Sequence, residues 1–172
     1  MSYKSFETER LILKPTDLED VDFIFELMNS LKWIEYIGDR NIKTKEDAKQ
    51  YIIDRHIPNF EKNGFGSYTL ILKENGNKIG SSGLFKREAL EVADIGFAFL
   101  DGFDGKGYGY ESSMKILEVA KSEFGLKKVS AITLPTNIAS QKLIEKLGLS
   151  YQKMVKPFAD DDDELMYYEM DL

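Results

Sequence analysis

The residues best suited to chemistry in this sequence are the run Phe103-Asp104-Gly105-Lys106-Gly107-Tyr108-Gly109-Tyr110. Three glycines in five residues let the backbone turn tightly and aim successive N–H groups at one point. The run follows an apolar, strand-like segment and opens a helix-like one. Its amides would therefore stand at the positive end of a helix dipole, an arrangement suited to phosphate groups. The alternative is a glycine-rich turn that holds nothing. Two phosphate-binding patterns fit poorly. A P-loop needs Gly-Lys followed by Ser or Thr, whereas Lys106 is followed by Gly107. A dinucleotide fingerprint read from Gly107 and Gly109 puts Ser112 where the third glycine belongs, and Ile132-Thr133-Leu134 offers no acid for a ribose.

Other chemistries are removed by composition. The 172 residues include no cysteine, which excludes disulfides, thiolate metal sites and cysteine nucleophiles. The single His56 argues against a His-based triad or a multi-histidine metal site, so no metal is expected; it precedes Ile57-Pro58, where it reads as decoration of a helix end. A net charge of -7 speaks against an electrostatic grip on nucleic acid or an anionic membrane and suits a cationic small molecule or peptide. No apolar run is long enough to span a membrane and the first residues carry no hydrophobic secretion segment, so a cytoplasmic address is expected.

The elements that would position the glycine run alternate in type. Arg10–Lys14 reads as a strand closed by Pro15, and Thr16-Asp17-Leu18-Glu19 as a capping box opening a helix with Leu18, Val21, Phe25 and Met28 at helical spacing. A second helix is predicted to begin after Thr44 and to break at Pro58. Residues 67–72 and 78–85 read as a hairpin about Asn75-Gly76, and 93–100 as a strand buried on both faces at the centre of a sheet. Ser113, Leu117, Ala120 and Phe124 mark a helix stopped by Gly125; a strand at 128–133 follows, then a helix capped by Asn137 and ended by Gly148. Two strands, 149–157 and 165–170, close the chain across an acidic loop. With no linker or repeat, residues 1–172 read as one α/β domain with a mixed, mostly antiparallel twisted sheet of about seven strands and about four helices.

Between the fourth strand and third helix, the acetyl-CoA-dependent N-acetyltransferases of the GNAT superfamily carry Gln or Arg, two residues, Gly, one residue, Gly or Ala. Gly107-x-Gly109 resembles that pattern. Residues Asn137 to Leu149, NIASQKLIEKLGL, resemble the superfamily's second signature, and Thr8-Glu9-Arg10-Leu11-Ile12-Leu13-Lys14-Pro15 resembles the branch of ribosomal-protein N-terminal acetyltransferases. The resemblance implies that the backbone of Phe97, Ala98 and Phe99 bonds the pantetheine arm, and that amides of Gly105, Lys106, Gly107, Tyr108, Gly109 and Tyr110 take the diphosphate. It further implies that Asn137 touches the cofactor arm, that Lys142 approaches the ribose phosphate, and that Trp33 and Tyr36 line the acceptor side.

This sequence departs from the pattern twice. Asp104 stands where Gln or Arg is expected, an anion beside a diphosphate unless it turns outward or pairs with a cation such as Lys106. Ile144 stands where many members carry a tyrosine that protonates the departing thiolate. Ser140, one turn earlier, can face the same ligand, and it need only donate a hydrogen bond because a thiol of pKa about 8.5 is already a tolerable leaving group. On the acceptor side a lysine-like amine is deficient in its neutral form by roughly 4 to 5 kcal/mol at pH 7 and an α-amine by only about 1 kcal/mol. Need for a base thus depends on the acceptor. Asp94 is the candidate, with Glu88 and Glu91 as rivals, and a solvated strand end as the plainer role.

The expected activity is direct acetyl transfer from acetyl-CoA to a primary amine of a protein N-terminus, polyamine or other small amine. The alternative is a non-catalytic acyl-CoA-binding or regulatory protein on the same scaffold. The acidic run Asp160-Asp161-Asp162-Asp163-Glu164 would attract a basic partner or simply be a solvated loop. The oligomeric state, monomer or dimer, is open.

Overall fold

The computed structural model describes residues 2–158 and 161–172. Eight strands form one sheet in the order β1-β2-β3-β4-β5-β6-β8-β7. They are β1 (Phe6–Glu7), β2 (Leu11–Pro15), β3 (Ser67–Leu72), β4 (Lys78–Phe85), β5 (Asp94–Phe99), β6 (Lys128–Thr133), β7 (Ser150–Val155) and β8 (Leu165–Asp171). Neighbours are antiparallel except β5 and β6, whose parallel pairing is confined to Asp94↔Ser130. Beyond that pair the two strands diverge.

The helices are α1 (Val21–Met28), α2 (Leu31–Tyr36), α3 (Lys45–Tyr51), α4 (Ile57–Asn63), α5 (Tyr108–Ser122) and α6 (Ile138–Leu147). Side-chain alternation along β5 assigns them to opposite faces. Ile95, Phe97 and Phe99 join a core that includes Leu11, Leu70, Ile116 and Val119 of α5, and Ile144 of α6. Ala98 and Leu100 instead pack with Phe23, Leu27, Ala48 and Ile52, around α1 and α3.

The helix after Thr44 does not break at Pro58: a π-helical segment, Ile52–His56, carries it into α4, where Pro58 occupies the first turn. Proline lacks an N–H and crowds the carbonyl four residues back, and a wider turn relieves both demands. The helix stops at Gly64, in the left-handed region at φ 79°. His56 is consequently interior rather than decorating a helix end. Its ring meets Tyr51 edge-on at 5.3 Å, and burial holds the imidazole down to about pKa 4 against the opposing pull of Asp20. The two-residue β1 extends the strand count from about seven to eight.

Candidate active site

The glycine run forms the connection between β5 and α5. Gly102, Gly105 and Gly107 adopt φ of 89°, 70° and 83°, values that L side chains rarely tolerate. Gly107 is also the N-cap of α5, with no side chain closing the helix start. Among the described residues, none of the main-chain amides from Gly105 to Tyr110 donates to an acceptor. Unpaired donors at a helix start form a site for an anion. Gly109 serves packing instead: a Cβ there would lie 2.9 Å from Leu143 Cδ2 of α6.

Three side chains brace this loop. Arg10 Nη1 donates to the Lys106 carbonyl at 2.9 Å, and its Nε donates to Glu111 Oε2 at 3.2 Å. Asp104 is paired not with Lys106 but with Lys32 of α2. The Lys106 ammonium lies 5.7 Å from the Phe103 ring centroid. The cation that Asp104 needed therefore comes from another helix, a contact with no local spacing to reveal it.

The divergence of β5 from β6 leaves a groove beside the loop. Leu100 donates to Ile79 on the β4 side, and Ser130 donates to Ala93 on the β6 side. Counting between these anchors by alternation, Ala98 bonds toward β4, while the N–H and C=O of Phe97 and Phe99 point into the groove. This explains why β5 is only half-buried from Gly96 onward, although its apolar run reads as fully buried.

On α6, Asn137 accepts the Ser140 amide at 3.2 Å and so caps the helix. Ser140 is half-buried, and its hydroxyl has no partner among the described residues. Ile144, one turn on, is fully buried in the core. Lys142 is exposed, on the face it shares with Lys146, whose ammonium lies 4.4 Å from the Tyr110 ring centroid.

Across the sheet, Asp94 sits where β5 and β6 begin to part. It is 1% exposed rather than solvated, and Arg87 Nε donates to it at 2.8 Å. Burial raises its pKa despite the attraction of Arg87. Ser130, paired opposite, shares its face with Tyr167 and Glu169 of β8. Burial and a 2.7 Å hydrogen bond to Glu169 push the Tyr167 phenol up to about 12, so it remains a donor at neutral pH. Glu88 and Glu91 are exposed. Trp33, on α2, packs with Ala98 and Leu100, its indole N–H buried without an acceptor; Tyr36, on the same helix, is half-buried. Asp161 to Glu164 are exposed, and Asp160 lies outside the described residues.

The loop and β5 residues read from sequence thus lie at the parting of β5 from β6, and α6, which begins with Asn137 as its cap, packs against α5 and β6. Arg10, Lys32, Arg87 and Tyr167 were not assigned roles from sequence. Arg10 and Lys32 act through partners 96 and 72 residues away, which no local spacing reveals, whereas Arg87 and Tyr167 act on neighbours seven and two residues away, Asp94 and Glu169.

The model of the acetyltransferase (GNAT) domain matches residues 10–150. An uncharacterised N-acetyltransferase of Bacillus subtilis, YnaD, is 27% identical over 149 residues, covering 87% of this chain and 84% of its own. The ribosomal-protein-S5-alanine acetyltransferase of Vibrio fischeri superposes with a TM-score of 0.80 at 16% identity, over 98% of this chain and 96% of that one. The microcin self-immunity acetyltransferase MccE, solved in complex with acetyl-CoA and AMP, does so with a TM-score of 0.80 at 15% identity, over 95% and 93%.

Proposed function

The chain belongs to the acetyltransferase (GNAT) domain family, and from that premise we propose that it moves an acetyl group from acetyl-CoA directly to a primary amine within a ternary complex. The observation that carries this reading is the continuity of two sets of unpaired donors: the amides of Gly105–Tyr110 and the groove-facing backbone of Phe97 and Phe99. The first set suits a diphosphate. The second suits an extended amide-bearing arm, bonded as a strand would be. Acetyl-CoA supplies an activated acyl carbon in a thioester.

In this mechanism the loop amides bind the diphosphate, and Asn137 and Lys142 border the arm and the ribose phosphate. The Phe97 N–H polarises the thioester carbonyl as an oxyanion donor. The amine nitrogen bonds to the acyl carbon, the carbon–sulfur bond breaks, and the electron pair leaves on sulfur. Ser140 donates a hydrogen bond to that thiolate. The proton shed by the amine passes to Asp94, whose burial makes it a stronger base than an ordinary carboxylate. Trp33 and Tyr36 flank the acceptor. The negative net charge favours a cationic carrier of the amine, such as a polyamine or a basic peptide N-terminus.

Initial rates measured while acetyl-CoA and amine are varied together should give intersecting lines. Parallel lines with an acetylated protein would contradict direct transfer. A second reading, acyl-CoA binding without turnover, is favoured by Ile144, which fills with core hydrocarbon the position where many members carry an acidic tyrosine. Thiol release over an amine panel separates the two: binding without release supports the second.

A further inference from the structure

Arg10 precedes β2 and lies 96 residues before Lys106, yet its contacts converge on the glycine loop. Its Nη1 holds the Lys106 carbonyl, its Nε holds Glu111, and its guanidinium carbon stacks 4.3 Å from the Tyr108 ring centroid. Its Nη2 stands 3.2 Å from where a Cβ on Gly107 would be. We propose that Arg10 is a positioning residue for acetyl-CoA binding: by fixing the Lys106–Gly107 peptide, it aims the Gly107 N–H into the diphosphate site. This rests on the acetyl-CoA reading above.

The geometry follows from the peptide unit itself. No cis bond occurs here, and in a planar trans peptide the C=O and N–H point in opposite directions. A guanidinium that anchors the Lys106 carbonyl on the β2 side therefore turns the Gly107 N–H to the opposite side. Without that anchor, the Lys106–Gly107 peptide, followed by a glycine in the left-handed region, is free to flip. Orientation, rather than attraction, is the role. Glu111 neutralises much of the guanidinium charge, and two edges and one face of the group are already engaged. Stability is not the role either. Side-chain exposures of 42% for Arg10 and 18% for Glu111 place the ion pair where such contacts contribute little to folding.

Calorimetric titration of wild type, Arg10→Met and Arg10→Lys with CoA, 3′-dephospho-CoA and pantetheine tests this, with melting temperature as a fold control. Arg10→Met should weaken CoA and 3′-dephospho-CoA alike, about tenfold, the scale of one charge-assisted hydrogen bond, while sparing pantetheine. Arg10→Lys keeps the charge but not the fork, and should show a smaller loss in the same pattern. Unchanged affinities, or an equal loss on pantetheine, would overturn the proposal. So would a loss confined to CoA with 3′-dephospho-CoA spared, which would make Arg10 a direct phosphate ligand. Wild type binding none of the three would overturn the acetyl-CoA reading and this proposal together; wild-type binding with unaltered variants overturns this proposal alone.

Discussion

Gly107 and Gly109 are two residues apart in one loop-to-helix junction, and a methyl group added to each meets a different obstacle. At Gly107 a side chain must adopt φ 83° and crowd Arg10, costing on the order of 1 to 2 kcal/mol. At Gly109 the obstacle is a terminal methyl of Leu143, which can rotate away. Gly107→Ala is therefore expected to lower both melting temperature and CoA affinity, and Gly109→Ala to be milder in both. Equal effects would mean that local conformation is not what the loop needs from Gly107. The chemistry is tested by a second pair of substitutions. Asp94→Asn should reduce kcat by on the order of a hundredfold with KM for acetyl-CoA unchanged. Because burial raises the Asp94 pKa, the acid limb of kcat/KM should lie above the ordinary carboxylate range and vanish in that variant. Ser140→Ala should cost about tenfold in kcat, the worth of one hydrogen bond to sulfur.

The helix from α3 to α4 shows where sequence pattern reaches its limit at the scale of an element. Thr44 and Asp47 form a capping box, legible as Thr followed three residues later by an acid. The π-helical turn before Pro58 was not legible, because proline alone argues for a break and only the packing of Ile52 and His56 repays the wider turn. The six-residue α2 has no buried residue and β1 only two residues, so neither had a period to read. The interior His56 carries a pH consequence. Its folded pKa of about 4 lies below the unfolded value of 6.5, so the unfolded chain binds the extra proton between them. Stability is fully present above 6.5 and is lost as pH falls toward 4, by on the order of 3 kcal/mol. Asp20 does not compete in that window. Burial alone would raise its pKa, but hydrogen bonds from Lys14 and Lys78 outweigh it, so its contribution is lost only below the ordinary aspartate range. Melting temperatures from pH 7 to 4.5 should fall in wild type and flatten in His56→Phe. A parallel fall in both would place the acid sensitivity elsewhere.

At the scale of the whole molecule, the order of elements was readable and the opening of the sheet was not. Alternating strand and helix patterns led to one mixed sheet, and β6 falls at the predicted residues 128–133. The parting of β5 from β6 left no mark, since an apolar run reads the same against a neighbouring strand as beside an empty groove. Charge also acts at this scale. If the net charge of -7 steers a polycationic acceptor, raising salt from about 0.1 M to about 1 M, which shortens the screening length from about 10 Å to about 3 Å, should raise KM for a polyamine. KM for a monoamine should change much less, and equal changes would remove long-range steering from the account. The central claim, that Gly105–Tyr110 clasp a diphosphate beside an arm bonded to β5, is tested most directly by amide chemical shifts during titration with CoA and with pantetheine. The account predicts that Phe97 and Phe99 move with both ligands and Gly105 to Tyr110 with CoA alone. Amides of that loop standing still while CoA binds would contradict it.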